Sequence, residues 1–369
     1  MSITFYLLHL GFGGIETSTI NTANALSDFY DINILSFYHL SKDQKDFISP
    51  KVHVKYLYEG GPNKEEFKKA LKSFNPIKII KEIYISIKIL YLKKHLIIRE
   101  MKNSKTLYNI STRNEFSTLL SKYGKGTLIA QEHMHHNDSK KYINNIKYKF
   151  KNIDYLFALT NSLKSDYELF LKDNHHTKVV LVPNMIDIPN VKTNFNNNLI
   201  TISRLHPNKR IGEMIDIFSK LKDKSSKLYI IGDGEELNNL KELVKEKDLE
   251  NRVVFTGYLT KEEMKKYILD SKVFLMTSLT EGLPMVLLEA MSYGIPCIAY
   301  KTRSGVADII DNDINGYIID DRNEEEYIEK LNYLLENEEK LVEFSNNALE
   351  KANNFSKENV INIWKSIIK

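Results

Sequence analysis

The sequence predicts an α/β protein with two doubly wound parallel sheets. Short runs rich in Ile, Val, Leu, Phe and Tyr alternate with longer amphipathic segments along all 369 residues, and this alternation is typical of parallel strands with helices on both faces of the sheet. The chain is too long for one ordinary core and suits two domains of roughly 150–200 residues each. A segment rich in Pro and Asn, without helical or strand periodicity, interrupts the alternation at 182–198 and is typical of a linker.

The apolar runs define the predicted strands and the predicted domains. In the first half, the strands are expected at 3–9, 31–37, 52–57, 106–110, 127–131, 155–159 and 178–182. In the second half, they are expected at 199–203, 227–231, 252–255, 273–276, 296–300 and 317–319. We expect an N-terminal domain over 1–188 and a C-terminal domain over 189–354. Residues 355–369 show an apolar stripe at helical spacing and are predicted as a helix that packs back on the N-terminal domain.

Composition narrows the environment and the partners. The net charge of +4 suits a polyanionic small ligand or an anionic membrane surface, and nucleic acid is not expected because no basic stripe with interleaved aromatic residues is present. Cys297 is the single cysteine, which predicts a reducing compartment and therefore the cytoplasm. The apolar start MSITFYLLHL has no preceding basic region, and no stretch reaches 18 uncharged apolar residues, so we expect neither a signal peptide nor a transmembrane helix.

A glycine turn, GFGGIE at 11–16, follows the first predicted strand and precedes a helix. Gly13 and Gly14 permit close approach of the backbone to an anion at the N-terminus of that helix. The spacing is too short for the G-x-G-x-x-G fingerprint. A simple tight turn explains the motif equally well.

Residues 76–102 form a long amphipathic segment. At a helical period, one arc carries cations and the opposite arc carries apolar side chains, a pattern that suits peripheral binding to anionic lipid. The alternative is an ordinary domain helix that packs on the sheet and has a solvated lysine face. The cationic arc contains Lys78, Lys81, Lys88, Lys93 and Arg99, and the apolar arc contains Ile80, Ile83, Ile87, Leu90 and Ile98.

A histidine cluster, QEHMHHND at 131–138, follows the fifth predicted strand. His133, His135 and His136 are residue types that bind zinc, but the spacings of known zinc motifs are absent. A metal site is therefore not expected. His133 is closest to the end of the strand and is the best candidate to point into a cleft.

Basic residues follow the strand that opens the second domain, in TISRLHPNKR at 201–210. Arg204, Lys209 and Arg210 can clamp a diphosphate, because arginine offers a fork matched to phosphate and lysine a point charge. Solvated loop cations are the alternative interpretation. The next strand ends in the glycine turn IGDGEE at 231–236, where Gly232 either contacts a ligand or forms a plain turn.

The strongest local motif is TSLTEGLPMVLLEAMSYGIPCIAY at 277–300. Glu281 lies in the loop after a buried strand, and Glu289 lies in the following helix, so both can face the crevice at the carboxyl ends of the strands. Two carboxylates there could accept hydrogen bonds from sugar and ribose hydroxyls. The alternative is one solvated glutamate and one at a helix start, favoured by the helix dipole. Because Glu289 lies in an apolar stretch, where an unpaired carboxylate is costly, the motif favours a functional role.

Together these motifs resemble the GT-B glycosyltransferases of family four, over nearly the whole chain. The features occur in the expected order: a Gly-Gly turn, a histidine after a strand, a basic pair that opens the second domain, and two glutamates separated by seven residues. The resemblance implies two Rossmann-like domains that face each other across a cleft. It places the nucleotide sugar on the C-terminal domain and the acceptor on the N-terminal domain.

The resemblance also implies a role for each motif. Glu289 would hold the donor ribose, Glu281 would face the transferred sugar, and Tyr258 would contact the base. The expected catalytic residues are His133, Glu281, Arg204 and Lys209. The expected donor-binding residues are Gly13, Gly14, Arg204, Lys209, Gly232, Tyr258, Glu281, Gly282, Leu283, Pro284, Met285 and Glu289.

The implied activity is that of a retaining glycosyltransferase that uses a nucleotide diphosphate sugar, with UDP as the expected nucleotide, and needs neither a metal nor another cofactor. The implied acceptor is a glycan, a lipid-linked sugar or a polymer in bacterial surface polysaccharide synthesis. Two alternatives remain at this point: a GT-B sugar-nucleotide epimerase or phosphorylase, and a non-catalytic GT-B scaffold that supports a partner enzyme. The sequence contains the complete set of Arg204, Lys209, Glu281 and Glu289. A non-catalytic scaffold has little reason to retain this set, so its presence argues against the scaffold.

Overall fold

The computed structural model describes residues 1–133, 136–191, 193–320 and 322–369 and divides into two compact units. The first unit contains Met1–Leu159, Leu163–Val182 and Lys365–Lys369, and the second contains Thr160–Ser162 and Pro183–Trp364. The chain therefore passes from one unit to the other between Val182 and Pro183, before the predicted boundary at 188. Most of the last helix belongs to the second unit, and only its end and the terminal residues belong to the first.

The first unit is built on a parallel sheet with the strand order β3-β2-β1-β4-β5-β6-β7. The strands are β1 (Ser2–Leu7), β2 (Asp31–His39), β3 (Val52–Glu59), β4 (Tyr108–Ser111), β5 (Thr127–Gln131), β6 (Tyr155–Ala158) and β7 (Lys178–Leu181). The helices are α1 (Gly14–Leu26), α2 (Lys64–Lys72), α3 (Pro76–Asn103), α4 (Asn114–Tyr123), α5 (Lys140–Lys149) and α6 (Asn161–Phe170), with a 3-10 turn at Lys45–Phe47.

The second unit repeats this architecture, with the strand order β10-β9-β8-β11-β12-β13. The strands are β8 (Asn198–Ile202), β9 (Leu228–Ile231), β10 (Val253–Gly257), β11 (Ser271–Met276), β12 (Cys297–Tyr300) and β13 (Gly316–Ile319). The helices are α7 (Ile211–Ser219), α8 (Leu237–Glu246), α9 (Lys261–Leu269), α10 (Met285–Ser292), α11 (Val306–Ile309), α12 (Glu324–Glu336), α13 (Glu338–Asn353) and α14 (Lys357–Ile367), with a 3-10 turn at Pro207–Lys209.

Every strand predicted from the sequence is present, with ends shifted by at most two residues. The strands are easy to recognise because both faces of a parallel sheet are covered by helices, so each strand is a nearly continuous apolar run. Side chains of Ile3, Phe5, Ile230 and Leu275 are fully buried in these sheets. The predicted fold class, two doubly wound α/β domains, is confirmed.

Each sheet has one point where the strand order reverses direction. In the first sheet β1 lies between β2 and β4, and in the second sheet β8 lies between β9 and β11. Loops that leave the carboxyl ends of the two central strands therefore run to opposite faces and leave a crevice between them. Ligands of doubly wound proteins bind at this switch point, so the fold directs attention to the β1–β4 and β8–β11 crevices.

The helix predicted at 76–102 is α3, and it buries few of its side chains. Asn75 caps its first turn by accepting hydrogen bonds from the backbone N–H groups of Ile77 and Lys78. The buried side chains are Ile89, at the middle of the helix, and Ile97 and Met101 in its second half. Of the predicted apolar arc, Ile80, Ile83, Ile87 and Leu90 are exposed and Ile98 is half-buried. Lys93, from the predicted cationic arc, is 13% exposed and forms an ion pair of 3.0 Å with Glu115. No helix in the described ranges carries an apolar stretch long enough to cross a bilayer.

Candidate functional site

The loops after β8 and β11 meet at the switch point of the second sheet. The side chain of His206 accepts a hydrogen bond from the backbone of Asn208 and so starts the 3-10 turn, which ends at Arg210 in a left-handed conformation (φ 52°). The hydroxyl of Thr277 donates to the carbonyls of Lys209 and Arg210, each at 3.0 Å. The backbone N–H of Leu279 donates to the carbonyl of Asn208 at 2.9 Å. These contacts fix the basic loop against the loop that carries Glu281.

Lys209 and Glu281, two predicted site residues, form an ion pair in this crevice. The Nζ atom of Lys209 lies 2.6 Å from Oε1 of Glu281, and the side chains are 23% and 14% exposed. Partial burial reduces solvent screening, so the pair is stronger than one on an open surface. The ammonium group has three donors, and one hydrogen bond to Glu281 leaves others available for an anion.

Ser203 and Arg204 follow β8, in the loop that leads to Lys209. Arg204 is exposed, and its guanidinium contacts none of the other described side chains through a hydrogen bond or ion pair. The hydroxyl oxygen of Ser203 is buried without a hydrogen-bond partner among the described residues, and it lines a small cavity together with Lys209 and Glu281. Buried hydroxyls are nearly always paired. Ser203 therefore joins the candidate site, although the sequence analysis did not single it out.

Gly232 has a structural reason to be glycine. Its φ is +136°, and a Cβ atom there would lie 1.9 Å from the carbonyl oxygen of Ser203. The backbone of the β9–α8 turn is held against this segment by hydrogen bonds from the N–H of Ser203 to Ile231 and from the N–H of Leu205 to Asp233. The turn thus supports the basic loop, and direct contact of Gly232 with a donor stays a prediction.

The segment Gly282, Leu283, Pro284 and Met285 forms the entry to α10, as the sequence predicted. Ser304 donates a hydrogen bond of 3.0 Å to the carbonyl of Glu281. Gly305 has a φ of +87°, and a Cβ atom there would lie 2.2 Å from the carbonyl oxygen of Gly282. The loop after β12 therefore packs directly on the E-G-L-P turn and holds it in place.

Glu289 lies in the second turn of α10, half-buried. Its carboxylate forms no hydrogen bond or ion pair with the described residues. Burial raises the pKa of Glu289; the charge of Lys261 opposes this shift and that of Asp187 adds to it. An unpaired carboxyl in a partly apolar setting is costly, and hydroxyl donors of a sugar would relieve that cost. Tyr258, which follows β10, is 69% exposed, and its contact with a base stays a prediction.

The switch point of the first sheet carries a second ion pair, which the sequence analysis missed. Glu16 in the first turn of α1 is 3% exposed, and its Oε1 atom accepts a hydrogen bond of 2.8 Å from Nη2 of Arg113, the residue before α4. Gly13 caps α1 and lies so close that a Cβ atom there would be 2.5 Å from Oε2 of Glu16, whereas Gly14 has open space around it. The Gly13 turn therefore lies directly over this carboxylate.

His133 lies in the loop that follows β5, near Arg113 of this pair. Its Nε2 atom is buried and has no partner among the described residues. Burial, and secondarily the charge of Arg113, lower the pKa of His133 to about 4. The imidazole is therefore neutral at physiological pH and can both donate and accept one hydrogen bond.

Glu132 and His136 lie on either side of His133 and have structural roles. The carboxyl of Glu132 is 1% exposed and accepts hydrogen bonds of 2.7 Å from Ser117 and Tyr142. Burial raises the pKa of Glu132 to about 7. His136 is buried and contacts Asp166 at 2.9 Å.

Metal binding at the histidine cluster was not expected from the sequence. His135 lies outside the described residues. Within the ranges that the structure describes, no three His, Cys, Asp or Glu side chains converge to hold a metal ion.

Comparison with known proteins agrees with this geometry. Residues 187–351, which contain both loops of the β8–β11 crevice, match the family described as glycosyl transferases group 1. The matched segment covers most of the second unit. The family match thus covers the part of the chain in which Lys209, Glu281 and Glu289 lie.

Relatives with similar sequences are named as glycosyltransferases. The amylovoran biosynthesis glycosyltransferase AmsD of Erwinia amylovora is 33% identical over 172 residues, which are 47% of this chain and 48% of that protein. An uncharacterized glycosyltransferase of Haemophilus influenzae is 24% identical over 99% of both chains. The chain therefore spans about half the length of the first relative and nearly all of the second.

Solved structures with this fold are glycosyltransferases as well. The crystal structure of Anabaena HepE in complex with UDP-glucose superimposes with a TM-score of 0.75 at 17% identity, covering 100% of this chain and 99% of that one. At this identity the comparison establishes the fold alone. It confirms the GT-B fold that the resemblance implied.

Protonation of Glu132 makes a testable contribution to stability. Its pKa is about 7 in the folded protein and near 4.5 in the unfolded chain, so the folded state holds the proton to higher pH. Its contribution is therefore present below about pH 4.5 and is lost as the pH rises through 7, by roughly 3 kcal/mol. We expect Glu132→Gln to gain about this much relative to the wild type between pH 5 and pH 8, as measured by urea unfolding at each pH.

Glu325→Gln is the control for this measurement, because Glu325 is exposed on α12. In this variant the free energy of unfolding should change between pH 5 and pH 8 by the same amount as in the wild type. An equal pH response of Glu132→Gln and the wild type would show that Glu132 is ionised throughout this range.

Proposed function

We propose that this protein is a retaining, metal-independent glycosyltransferase that moves a sugar from a UDP-linked donor to a glycan or lipid-linked acceptor in bacterial surface polysaccharide synthesis. The observation that carries the proposal is the β8–β11 crevice, where the Lys209–Glu281 pair and the unpartnered hydroxyl of Ser203 line one small cavity. Arg204 follows Ser203 in the same loop and is exposed. Cations and hydroxyl-binding carboxylates are the groups that a nucleotide diphosphate sugar requires.

The leaving group explains the cations. When the glycosidic bond to a diphosphate breaks, negative charge develops on the phosphate oxygens. Donors that are already oriented toward those oxygens stabilise this charge without reorganisation. Arg204 supplies a fork for two oxygens and Lys209 supplies a point charge, and the Thr277 contacts hold the lysine loop in place before the donor arrives. These groups can act without a metal ion.

The carboxylates explain sugar binding. Glu281 is held by Lys209 and Glu289 has no partner within the described chain, so both have lone pairs available for hydroxyl donors. A buried acceptor that pairs with a substrate hydroxyl contributes strongly to specificity, since a substrate without that hydroxyl leaves it unpaired. Glu281 is assigned to the transferred sugar and Glu289 to the ribose.

The relatives support the choice of donor and of biological context. HepE binds UDP-glucose, and AmsD acts in amylovoran biosynthesis. A UDP-sugar and a surface polysaccharide are therefore proposed here. His133 is proposed to hydrogen-bond the reacting sugar through its unpartnered Nε2 atom, as a neutral imidazole.

Acceptor-dependent release of UDP tests the activity and its stereochemistry. Purified protein should release UDP from one member of a panel of UDP-sugars only when a glycan acceptor is present, and the NMR coupling of the anomeric proton should match that of the donor. Activity should survive an excess of EDTA. An inverted product or complete loss of activity with EDTA would contradict the proposal, and conversion of the donor sugar without an acceptor would favour an epimerase.

Single substitutions test the assigned residues. Lys209→Ala and Glu289→Ala should each lower kcat/KM by well over tenfold, about 2–4 kcal/mol of lost transition-state stabilisation, while folding survives. Matched controls are Lys247→Ala, which breaks an ion pair of 2.6 Å with Asp216 in the same unit, and Glu246→Ala, which removes an exposed carboxylate of α8. Unchanged turnover in either site variant would remove the donor-site assignment.

We also propose that α3 binds the surface of an anionic membrane. Its outward stripe is strongly exposed: Ile77 is 78% exposed, Ile80 66%, Tyr84 66%, Ile87 61% and Tyr91 66%. Soluble surfaces rarely expose a contiguous apolar stripe of this kind unless it binds a partner.

The charge around the stripe indicates lipid as the partner. Between 64 and 99 the surface exposes nine Lys or Arg side chains but only two Glu side chains. Such a surface repels a second copy of itself and attracts anionic headgroups. The exposed cations are Lys64, Lys68, Lys69, Lys72, Lys78, Lys81, Lys88, Lys94 and Arg99.

Vesicle sedimentation tests this membrane contact. The protein should sediment with vesicles of phosphatidylglycerol and phosphatidylcholine, more weakly at high salt, and not with phosphatidylcholine alone. Ile80→Gln with Ile87→Gln, and separately Lys81→Glu with Lys88→Glu, should each weaken binding about tenfold or more. Val342→Gln on α13, and Lys241→Glu with Lys245→Glu on α8, are exposed controls that should bind normally. Normal binding by both α3 double variants would refute the proposal.

A further inference from the structure

The Glu16–Arg113 ion pair crosses the switch point of the first sheet. Glu16 belongs to the helix that follows β1, and Arg113 follows β4, the strand on the other side of the crevice. The pair is 2.8 Å long and Glu16 is almost completely buried. Removing one partner of such a pair leaves an uncompensated buried charge, so each residue requires the other.

The Gly13 turn rests on this pair. A Cβ atom at Gly13 would lie 2.5 Å from Oε2 of Glu16, and the carbonyl of Gly13 accepts the N–H of Thr17 at the start of α1. His9 also faces Glu16, but its Nδ1 atom accepts the backbone N–H of Gly11 at 3.1 Å and so carries no proton. Arg113 is therefore the cation that neutralises Glu16. The position of the Glu16 carboxylate limits how closely the Gly13 backbone can approach it.

Arg113 also acts on His133. The two residues follow β4 and β5, which are neighbours in register from Tyr108 and Thr127 onward. Nε of Arg113 and Nε2 of His133 are both buried without a partner among the described residues. Two buried nitrogens without hydrogen-bond partners, on adjacent strand ends, lower the stability of the fold. Such groups are retained at sites where a bound substrate provides the hydrogen-bond partner.

The second unit shows the same arrangement. There the Lys209–Glu281 pair joins the segments after β8 and β11, the two strands at its switch point. In the first unit the carboxylate of Glu16 follows β1 and the cation follows β4. In the second unit the order is reversed, because the cation Lys209 follows β8 and the carboxylate follows β11. In each unit, therefore, an ion pair bridges the segments that follow the two central strands of the sheet.

We infer that Glu16 and Arg113 are positioning residues for the transfer reaction: their ion pair fixes the Gly13 turn and holds Arg113 at the end of β4, next to the strand that leads to His133. The activity readout of this inference rests on the proposed function. Around Arg113, the titratable groups are Glu16 and His9 on the β1 side, Glu132 and His133 after β5, and Tyr142 on α5.

The experiment is a double-mutant cycle of Glu16→Gln and Arg113→Gln, with Arg113→Lys as the conservative variant. Each single substitution should lower kcat about 10- to 100-fold with little change in the donor KM, and the double variant should be no worse than the poorer single variant. Arg113→Lys should recover part of kcat because it retains the charge. Asp28→Asn with Lys51→Gln removes an exposed pair of the same 2.8 Å length beyond the other end of α1, and it should leave kcat unchanged.

NMR titration of labelled histidine provides a readout that does not depend on activity. The pKa of His133 should rise in Arg113→Gln and the acid limb of the rate profile should move with it, because the nearby positive charge is gone. It should not rise in Glu16→Gln or Arg113→Lys, which retain that charge. A His133 pKa that is the same in Arg113→Gln and the wild type, or additive losses of kcat in the cycle, would overturn the inference. An inactive wild type would refute the proposed function and leave the titration as the test.

Discussion

The Lys209–Glu281 ion pair joins the two loops that define the crevice of the second unit, and several hydrogen bonds hold the backbone on both sides of it. Thr277, Asn208 and Ser304 bind the backbone on either side of the pair. A half-buried pair of this kind contributes little net stability, because desolvation offsets much of the attraction. Its effect is on geometry: it fixes where a cation and a carboxylate lie before any ligand arrives, which is the condition for electrostatic stabilisation of a developing charge.

Much of this arrangement could be predicted from sequence because of the sheet topology. Parallel strands bring all their carboxyl ends to one edge, so residues as far apart in the chain as Lys209 and Glu281 are placed together once the strands are recognised. The apolar runs identified the strands, and the motifs that followed them supplied the site residues. The sequence could not show that Gly232 is required for close packing against Ser203, because that contact depends on the geometry of two separate loops.

Residues that the sequence analysis missed share one property. Glu16, Arg113, Glu132 and Ser203 have no distinctive spacing, and their importance depends on which strands are neighbours. Arg113 appears in the sequence as an ordinary cation before a helix, and only the adjacency of β1 and β4 places it on Glu16. The neighbouring histidines show the same limit: His136 pairs with Asp166, whereas Nε2 of His133 has no partner within the described chain. Their different surroundings, invisible in the string HMHH, separate a structural residue from a candidate for catalysis.

Helix α3 shows how a repeating pattern can identify a helix and still mislead about its packing. Its 28 residues span about 42 Å, and its buried side chains lie only from the middle of the helix onward. Ile89, Ile97 and Met101 bury one face, and Ile80, Ile87 and Leu90 form another that is 66%, 61% and 58% exposed. Because both faces carry isoleucines, the periodicity of the sequence does not show which face packs on the sheet. The fold needs only one apolar face to hold a helix on its sheet, so the second, bordered by lysines, is the face that we propose for binding to an anionic membrane.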